Sequence, residues 1–318
     1  MFHSVTDAYM KENEYVLSLP RFSISGPPRQ FNPDSVRFVW LKKIRSLYAV
    51  LGFIKVLLLN REWLVKIRSL KSSALSKKAL VIGNGPSQGF LDEDMLTDFK
   101  RNGGEIFVIN FWCANESLSK VIPTYLVISD PETLNSSCEA HLRDKNQHLL
   151  DYLKTNNTIQ VICPLSRCAE LGLKLGNDRI IGFVDNELRM WSSNISPLYP
   201  RGYLSMTLFK ALAMALWLGH EKIYLIGMDN TYQRNTYCDS DNKILNHEVH
   251  SGIDSSICDQ SSAYECMGDL LVELSHIFYD ARKFKNPRIL NLDPYSLTDA
   301  FAKANLPVGN LREFINIL

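Results

Sequence analysis

The sequence predicts an α/β fold in which a mostly parallel sheet is covered by helices on both faces. From residue 79 onward, short apolar runs alternate with longer helical segments. The runs are continuously apolar, which is typical of strands buried on both faces of a parallel sheet. The segment 205–218 is apolar nearly all round and stops at Gly219, which predicts a buried central helix.

The predicted elements follow one another in a strand, loop and helix order. Strands are predicted at 79–83, 105–110, 124–129, 159–163, 222–227 and 288–292. Helices are predicted at 139–154, 205–218 and 263–285. Residues 77–318 are therefore expected to form one domain around this sheet.

The composition supports a substantial core. Of the 318 residues, 46% are hydrophobic and 22% are charged, which excludes disorder as the main character of the chain. The seven cysteines form no C-x-x-C pair, so we expect reduced thiols rather than a disulfide framework or a zinc site. The first 15 residues show no basic stretch followed by an apolar one, so we expect a cytoplasmic protein without a secretory signal.

The first 76 residues differ from the rest. Residues 1–35 contain four prolines and are expected to form an irregular arm. In residues 36–76, the sequence WLKKIRSL beginning at Trp40 recurs as WLVKIRSL at Trp63, which predicts two similar amphipathic helices. The most apolar stretch, 47–59, is about a dozen residues long and contains Lys55, whereas a membrane span needs roughly 20 apolar residues.

Charge is unevenly placed along the chain. The net charge is +1, but residues 37–78 hold eleven Lys and Arg against Glu62 as the one acidic residue, a local balance of +10. Two interpretations of this basic segment stay open. Its apolar stripes pack onto the acidic body, or the helices make peripheral contact with the anionic inner face of the cytoplasmic membrane.

The strongest local motif is LVIGNGPS at residues 80–87, where an apolar strand runs into a glycine-rich turn and then a helical stretch. Glycines at the carboxyl end of such a strand let a phosphate or sugar approach backbone N–H groups. We therefore expect Gly83, Asn84, Gly85 and Ser87 to contact a ligand; a purely geometric use of the glycines is the alternative. The motif lacks the third glycine of the dinucleotide fingerprint and the Gly-Lys-Ser/Thr of a P-loop.

Three segments, 77–87, 106–110 and 205–229, together resemble the family-42 bacterial sialyltransferases and the related group of motility-associated-glycosylation-factor-like proteins. Residues 288–296 fit the same pattern, so the resemblance covers roughly residues 77–303. It implies a Rossmann-like variant of the A-type glycosyltransferase fold and a CMP-activated sialic acid as donor. It also implies inversion at the anomeric carbon and a reaction that needs neither a metal nor another cofactor.

The resemblance implies substrate-binding roles for residues that match positions of the family. These residues are Asn84 and Gly85 in the turn, Asn110 after the second strand, Ser205 at the start of the central helix, and Asp229 after the strand at 222–227. Asp130 matches only in part, because Pro131 is kept while Glu132 replaces the family's asparagine.

Two pairs of residues are candidates for the chemistry. Tyr232 and Tyr237 match, with a shift of one residue, two tyrosines that hydrogen-bond the departing phosphate in the family. Phenol O–H groups can stabilise phosphate charge without a metal, although packing of a loop is the alternative. His247 and His250 lie in a predicted loop and are candidate general bases because histidine titrates near neutrality. His250 fits the family's position best.

Two further polar features have simpler interpretations. His220 directly follows the central helix and is expected to cap its C terminus. Asp239 and Asp241 form a D-x-D pattern of the kind that holds a divalent ion in many sugar-nucleotide enzymes. We interpret them as a solvated acidic turn and predict no metal site.

The resulting hypothesis is an inverting glycosyltransferase that moves a nonulosonic acid or similar sugar from a CMP donor to a hydroxyl of a glycan or glycolipid acceptor. Two alternatives stay open. One is a diphosphokinase acting on a pterin-like alcohol, because similar G-N-G-P-S proteins have that role. The other is a non-catalytic nucleotide-binding protein. No nucleic-acid partner is expected.

Overall fold

The computed structural model describes residues 51, 53–55, 57–130, 132–135, 140–185, 196–199, 206–229, 236–238, 244–250, 253–258, 286–293, 296, 298 and 300–304. The predicted helix at 263–285 lies outside these residues. The described strands are β1 (Lys78–Ile82), β2 (Glu105–Ile109), β3 (Tyr125–Val127), β4 (Gln160–Pro164), β5 (Ile180–Phe183), β6 (Lys222–Ile226), β7 (Thr236–Cys238), β8 (Ile244–His250), β9 (Ile253–Cys258), β10 (Ile289–Asn291) and β11 (Ala302–Lys303). The described helices are α1 (Arg61–Ser69), α2 (Glu93–Arg101), α3 (Ala140–Thr155), α4 (Cys168–Leu175) and α5 (Thr207–Leu218).

Eight of these strands form one sheet in the order β11-β10-β6-β1-β2-β3-β4-β5. All neighbouring strands in it are parallel. The predicted α/β fold is therefore confirmed, and each of the six predicted strands is present with its ends displaced by no more than two residues.

The two faces of the sheet pack against different helices. In β1, Leu80 and Ile82 join a core that includes side chains of α1, α2, α3 and α4. Ala79 and Val81 point to the other face and join a core dominated by α5. This alternation is the period-two pattern of a strand that is buried on both sides.

Helix α5 is the buried central helix that the sequence predicts. Ten of its twelve residues are buried, and it crosses the face of β1, β2, β3 and β6. It ends at Gly219, which has a left-handed φ of 104°. This conformation is common where helices end, and glycine adopts it most easily. The helix begins at Thr207, and Ser205 lies outside the described residues.

His220 does not cap α5 as expected. Its side chain is fully buried at the amino end of the sheet, with Nε2 3.2 Å from Oε2 of Glu105. The ring also meets the ring of Phe107 edge-on, at a centroid distance of 5.5 Å. Burial lowers the pKa of His220 to about 4 and raises the pKa of Glu105. The chain turns from α5 into β6 within three residues, and the side chain of His220 meets Glu105 and Phe107 of β2.

Helix α1 packs onto the sheet domain. Trp63, Leu64 and Ile67 are buried, and the helix contacts β5. The indole N–H of Trp217 donates to the carbonyl of Ile67 at 3.1 Å. For the second of the two predicted basic helices, the packing interpretation is therefore right. None of the described helices has the length and hydropathy that a membrane crossing requires.

The segment around 245–250 is a strand and not the loop that the sequence indicated. β7, β8 and β9 form a separate antiparallel sheet with β8 in the middle. The residues of β8 are mostly polar and do not alternate clearly with apolar ones, so no strand pattern is recognisable there in the sequence. The strand is held by backbone hydrogen bonds to β7 and β9.

Among the described cysteines, Cys113, Cys163 and Cys168 are buried free thiols, as expected.

Candidate functional site

The carboxyl ends of β1 and β6 meet where the strand order reverses. From β1 the chain continues to β2 on one side, whereas β6 is followed in the sheet by β10 on the other side. Gly83 and Gly227 follow these two strands, and a Cβ on Gly83 would lie 2.3 Å from the carbonyl oxygen of Gly227. Gly227 also has a φ of 79°, so both positions require glycine. Ligands of open α/β sheets bind at such reversal points.

Ser87 and Asp229 hold the glycine-rich turn against the end of β6. The backbone N–H of Ser87 donates to Oδ1 of Asp229, and its hydroxyl donates to Oδ2, both at 3.0 Å. The same hydroxyl accepts a hydrogen bond from the backbone N–H of Gly227 at 2.9 Å. Gly85 adds a bond from its N–H to the carbonyl of Gly227. The turn is therefore fixed by side-chain and backbone bonds across a sequence separation of 142 residues.

Asp229 has a second acidic residue beside it. Asp229 follows β6 and Asp293 follows the neighbouring strand β10, and their exposures are 8% and 2%. Burial, together with the charge of Asp293, raises the pKa of Asp229 to about 7, although the hydrogen bonds from Ser87 oppose the rise. The rise has a physical reason, because ionisation of Asp229 would place two buried like charges side by side.

Uncharged hydrogen-bonding groups lie on the other side of the turn, at the ends of β2 and β3. Asn110 has a left-handed φ of 47°, and its Nδ2 lies 3.5 Å from Oγ1 of Thr207 at the start of α5. The hydroxyl oxygen of Ser129 lies 2.6 Å from Oγ1 of the same threonine. In the part of the chain that the structure describes, the buried Oδ1 of Asn110 has no hydrogen-bond partner. This edge can accept hydrogen bonds from a ligand beside a helix N terminus.

Strand β8, which carries His247 and His250, comes to the glycine-rich turn from outside the main sheet. It lies against the short 3₁₀ helix Pro86–Phe90 that directly follows Gly85. In β7, Tyr237 pairs with Leu245 of β8, and His250 pairs with Ile253 of β9. The strand with both candidate bases is thus adjacent to the turn in which ligand contacts are expected.

Comparison with known proteins gives one weak similarity. No protein-family model matches the chain, and no curated protein matches it. The fold is similar to that of a Maf glycosyltransferase from Magnetospirillum magneticum AMB-1. The TM-score is 0.40 and the sequence identity 11%, over 77% of this chain. The chain spans 37% of the length of that protein. The resemblance to family-42 sialyltransferases stays a prediction.

Other predicted site residues are placed less centrally or lie outside the described residues. Asp130 is half-buried, and its Oδ1 accepts a hydrogen bond from the N–H of Glu132 at 3.1 Å, which makes a local turn after β3. Tyr232, Ser205, Pro131, Asp239 and Asp241 are outside the described part of the chain. Among the residues that are described, no three His, Cys, Asp or Glu side chains cluster as a metal site would require.

Two cationic side chains at the carboxyl edge of the sheet were not identified from the sequence. Lys210 lies one turn into α5 and is 6% exposed, with its Nζ 3.0 Å from Oδ1 of Asp185 after β5. Arg167 follows β4 and donates to the carbonyl of Thr133, while its buried Nη2 has no hydrogen-bond partner within the described structure. The signal for Lys210 was present, since it is the one charged residue in 207–218.

Proposed function

We propose that this chain is a glycosyltransferase that moves a sialic-acid-like sugar from a CMP-activated donor to a hydroxyl of a glycan or glycolipid. The observation that carries the proposal is the position of β8. This strand bears His247 and His250, and it lies against the Pro86–Phe90 segment of the glycine-rich turn. The strand with the two candidate bases and the expected ligand-binding edge of the sheet are therefore neighbours, which supports the proposal because transfer to a hydroxyl requires a base near the donor.

The donor would bind along the carboxyl edge on both sides of Gly85. Asn110 and Ser129 offer uncharged hydrogen-bonding groups suited to a ribose and a base. The N terminus of α5 favours a negative charge, whereas the charge of Lys210 in its first turn is already paired with Asp185. Ser87 and Asp229 bind each other, so in this proposal they position the turn beneath the donor.

The chemical step would be an in-line displacement. His250, or His247, takes the proton of the acceptor hydroxyl as its oxygen bonds to the anomeric carbon. The bond from that carbon to the phosphate oxygen breaks at the opposite face, and CMP leaves with the bonding electron pair. Tyr232 and Tyr237 would donate hydrogen bonds to the departing phosphate and so stabilise its negative charge. The configuration of the sugar is inverted.

A nucleotide panel followed by a turnover assay tests this proposal. A ligand at 100 times its dissociation constant adds roughly 2.7 kcal/mol to the free energy of unfolding, so thermal unfolding with CMP, CDP, UDP, GDP, ATP and NAD should single out the cytidine nucleotides. Release of CMP from CMP-sialic acid should then continue in EDTA.

Three results would contradict the proposal, each in favour of a different interpretation. Stabilisation by ATP alone, with ATP consumption in the presence of a pterin-like alcohol, would indicate a diphosphokinase. Activity that EDTA abolishes and magnesium restores would indicate a metal-dependent transfer, with Asp239 and Asp241 as ligands. Cytidine-nucleotide binding without turnover of any CMP-sugar would indicate a non-catalytic nucleotide-binding protein.

A further inference from the structure

The helical residues before α1 have an exposed apolar face. Residues 51, 53–55 and 57–59 are helical, and Phe53 and Leu57 pack against the core of the sheet domain. The side chains on the outer face are exposed, at 59% for Leu51, 47% for Ile54, 76% for Leu58 and 71% for Leu59. At about 100° per residue these four positions share an arc of roughly 140°, on the side away from Phe53 and Leu57. We call them the outer leucine face.

Exposed apolar side chains are concentrated in this part of the described structure. Nine large hydrophobic residues are exposed there, and five of them lie between residues 51 and 65: the outer leucine face and Val65. Isolated exposed apolar residues are normal on a protein surface, whereas a cluster on one helix face indicates an interaction surface. The cluster therefore needs an occupant.

Charge indicates what that occupant is. Residues 51–71 contain five basic residues, and Glu62 is their one acidic residue. Lys55 is exposed and falls within the arc of the outer leucine face. Residues 79–318, in contrast, carry a net charge of −8. An apolar helix face that includes a lysine and lies in a basic segment of the chain fits the boundary between anionic headgroups and acyl chains, and the acidic remainder of the chain would turn away from such a surface.

We propose that the outer leucine face docks on an anionic lipid bilayer. A second copy of the same face is a poorer occupant, because a two-fold interface would bring two positively charged surfaces together. The proposal differs from membrane binding by the repeated WLVKIRSL helix, since Trp63, Leu64 and Ile67 of α1 are already buried against the sheet domain. It does not depend on the proposed glycosyl transfer.

Vesicle flotation of the full chain tests this docking. We expect the chain to float with vesicles of phosphatidylcholine and phosphatidylglycerol at low salt, and to stay unbound with phosphatidylcholine alone. The double variant Leu58→Gln, Leu59→Gln should weaken binding by on the order of tenfold or more, because two leucine side chains no longer enter the acyl region. Lys55→Gln should weaken it about fivefold at low salt.

Leu173→Gln is the matched control, because Leu173 is 91% exposed on α4, away from the outer leucine face. Its vesicle binding should equal that of the unchanged chain, and all variants should have the same unfolding midpoint. A full chain that stays unbound to anionic vesicles at low salt would overturn the proposal, as would a Leu58/Leu59 variant that floats equally well. So would a chain that is dimeric by light scattering and becomes monomeric in this double variant without binding vesicles.

Discussion

The hydroxyl of Ser87 donates to Oδ2 of Asp229 and accepts from the backbone N–H of Gly227, so one side chain joins the ends of β1 and β6. All three residues are buried. A hydroxyl that uses both its donor and its acceptor cannot be replaced by an apolar group without leaving buried polar atoms unpaired. The glycine-rich turn therefore depends on Ser87 for its position.

Replacement of Ser87 by alanine should destabilise the protein. The change leaves Oδ2 of Asp229 and the N–H of Gly227 without their partner, and we expect the free energy of unfolding in urea to fall by about 1–3 kcal/mol. Ser117→Ala is the control, because the exposed hydroxyl of Ser117 donates to the nearby side chain of Asn115 and joins no distant parts of the chain. That control should change the free energy by less than about 0.5 kcal/mol. Equal effects of the two variants would show that the Ser87 bonds do not fix the turn.

The pH dependence of stability should report the proton on Asp229. Its pKa is raised to about 7 from an ordinary value of 3.8, so the folded protein binds this proton more tightly than the unfolded chain does. The resulting stabilisation is fully present below about pH 4 and is lost as the pH rises through about 7. Asp229→Asn resembles the protonated form and lacks this dependence.

The measurement is the difference in free energy of unfolding between the unchanged protein and Asp229→Asn across that pH range. His220, with its pKa lowered to about 4, destabilises the fold as the pH falls from 6.5, which is the opposite direction. Because both proteins contain His220, its contribution cancels in the difference. A difference that does not change between pH 4 and 7 would mean that Asp229 is ionised throughout.

The approach of Gly83 to Gly227 should make position 227 intolerant of any side chain. A Cβ at Gly227 would lie 2.3 Å from the carbonyl oxygen of Gly83, and its φ of 79° is strained for alanine. We expect Gly227→Ala to lower the free energy of unfolding by about 2 kcal/mol or more. Gly89→Ala, in the same turn but with nothing within 4 Å of the added Cβ, should stay within about 0.5 kcal/mol of the unchanged protein. Similar losses in both variants would contradict this account.

Asn110 should contribute to nucleotide affinity through its side chain. Asn110→Gly removes the amide but keeps a residue that adopts the φ of 47° without strain. We expect the dissociation constant for CMP, measured by calorimetry, to rise about tenfold, which corresponds to the loss of one hydrogen bond. Ser72→Gly is the matched control, since Ser72 also has a left-handed φ, of 59°, but bonds to the C-terminal end of α5. An unchanged affinity in Asn110→Gly would remove this residue from the site.

The two histidines of β8 should differ in their effect on turnover. General-base catalysis typically contributes about two to four orders of magnitude, so His250→Ala should lower kcat by that factor while CMP binding persists. His247→Ala serves as the control and should retain turnover. The reverse result would assign the base to His247. Full activity of both variants would reject a base on β8.

The class of fold could be read from the sequence because its signal is local. A strand buried on both faces of a parallel sheet is apolar at every position, so β1, β2 and β6 were recognisable without their partners. The glycines after β1 indicated a tight turn because that signal, too, is local. β5 was missed because its run, IIGF, contains a glycine, a residue that is depleted in strands. β8 was missed because a polar strand is defined by its partners rather than by its own pattern.

The tertiary structure decided which distant residues become neighbours and how their pKa values change. Asp229 and Asp293 become neighbours only because β6 and β10 pair in the sheet, and their burial raises the pKa of Asp229 to about 7. The same holds for Lys210 beside Asp185 and for His220 beside Glu105. The sequence by itself determined which segments are buried, since hydrophobicity belongs to each residue. Desolvation and charge pairing depend on which distant residues the fold brings together, so only the structure could assign them.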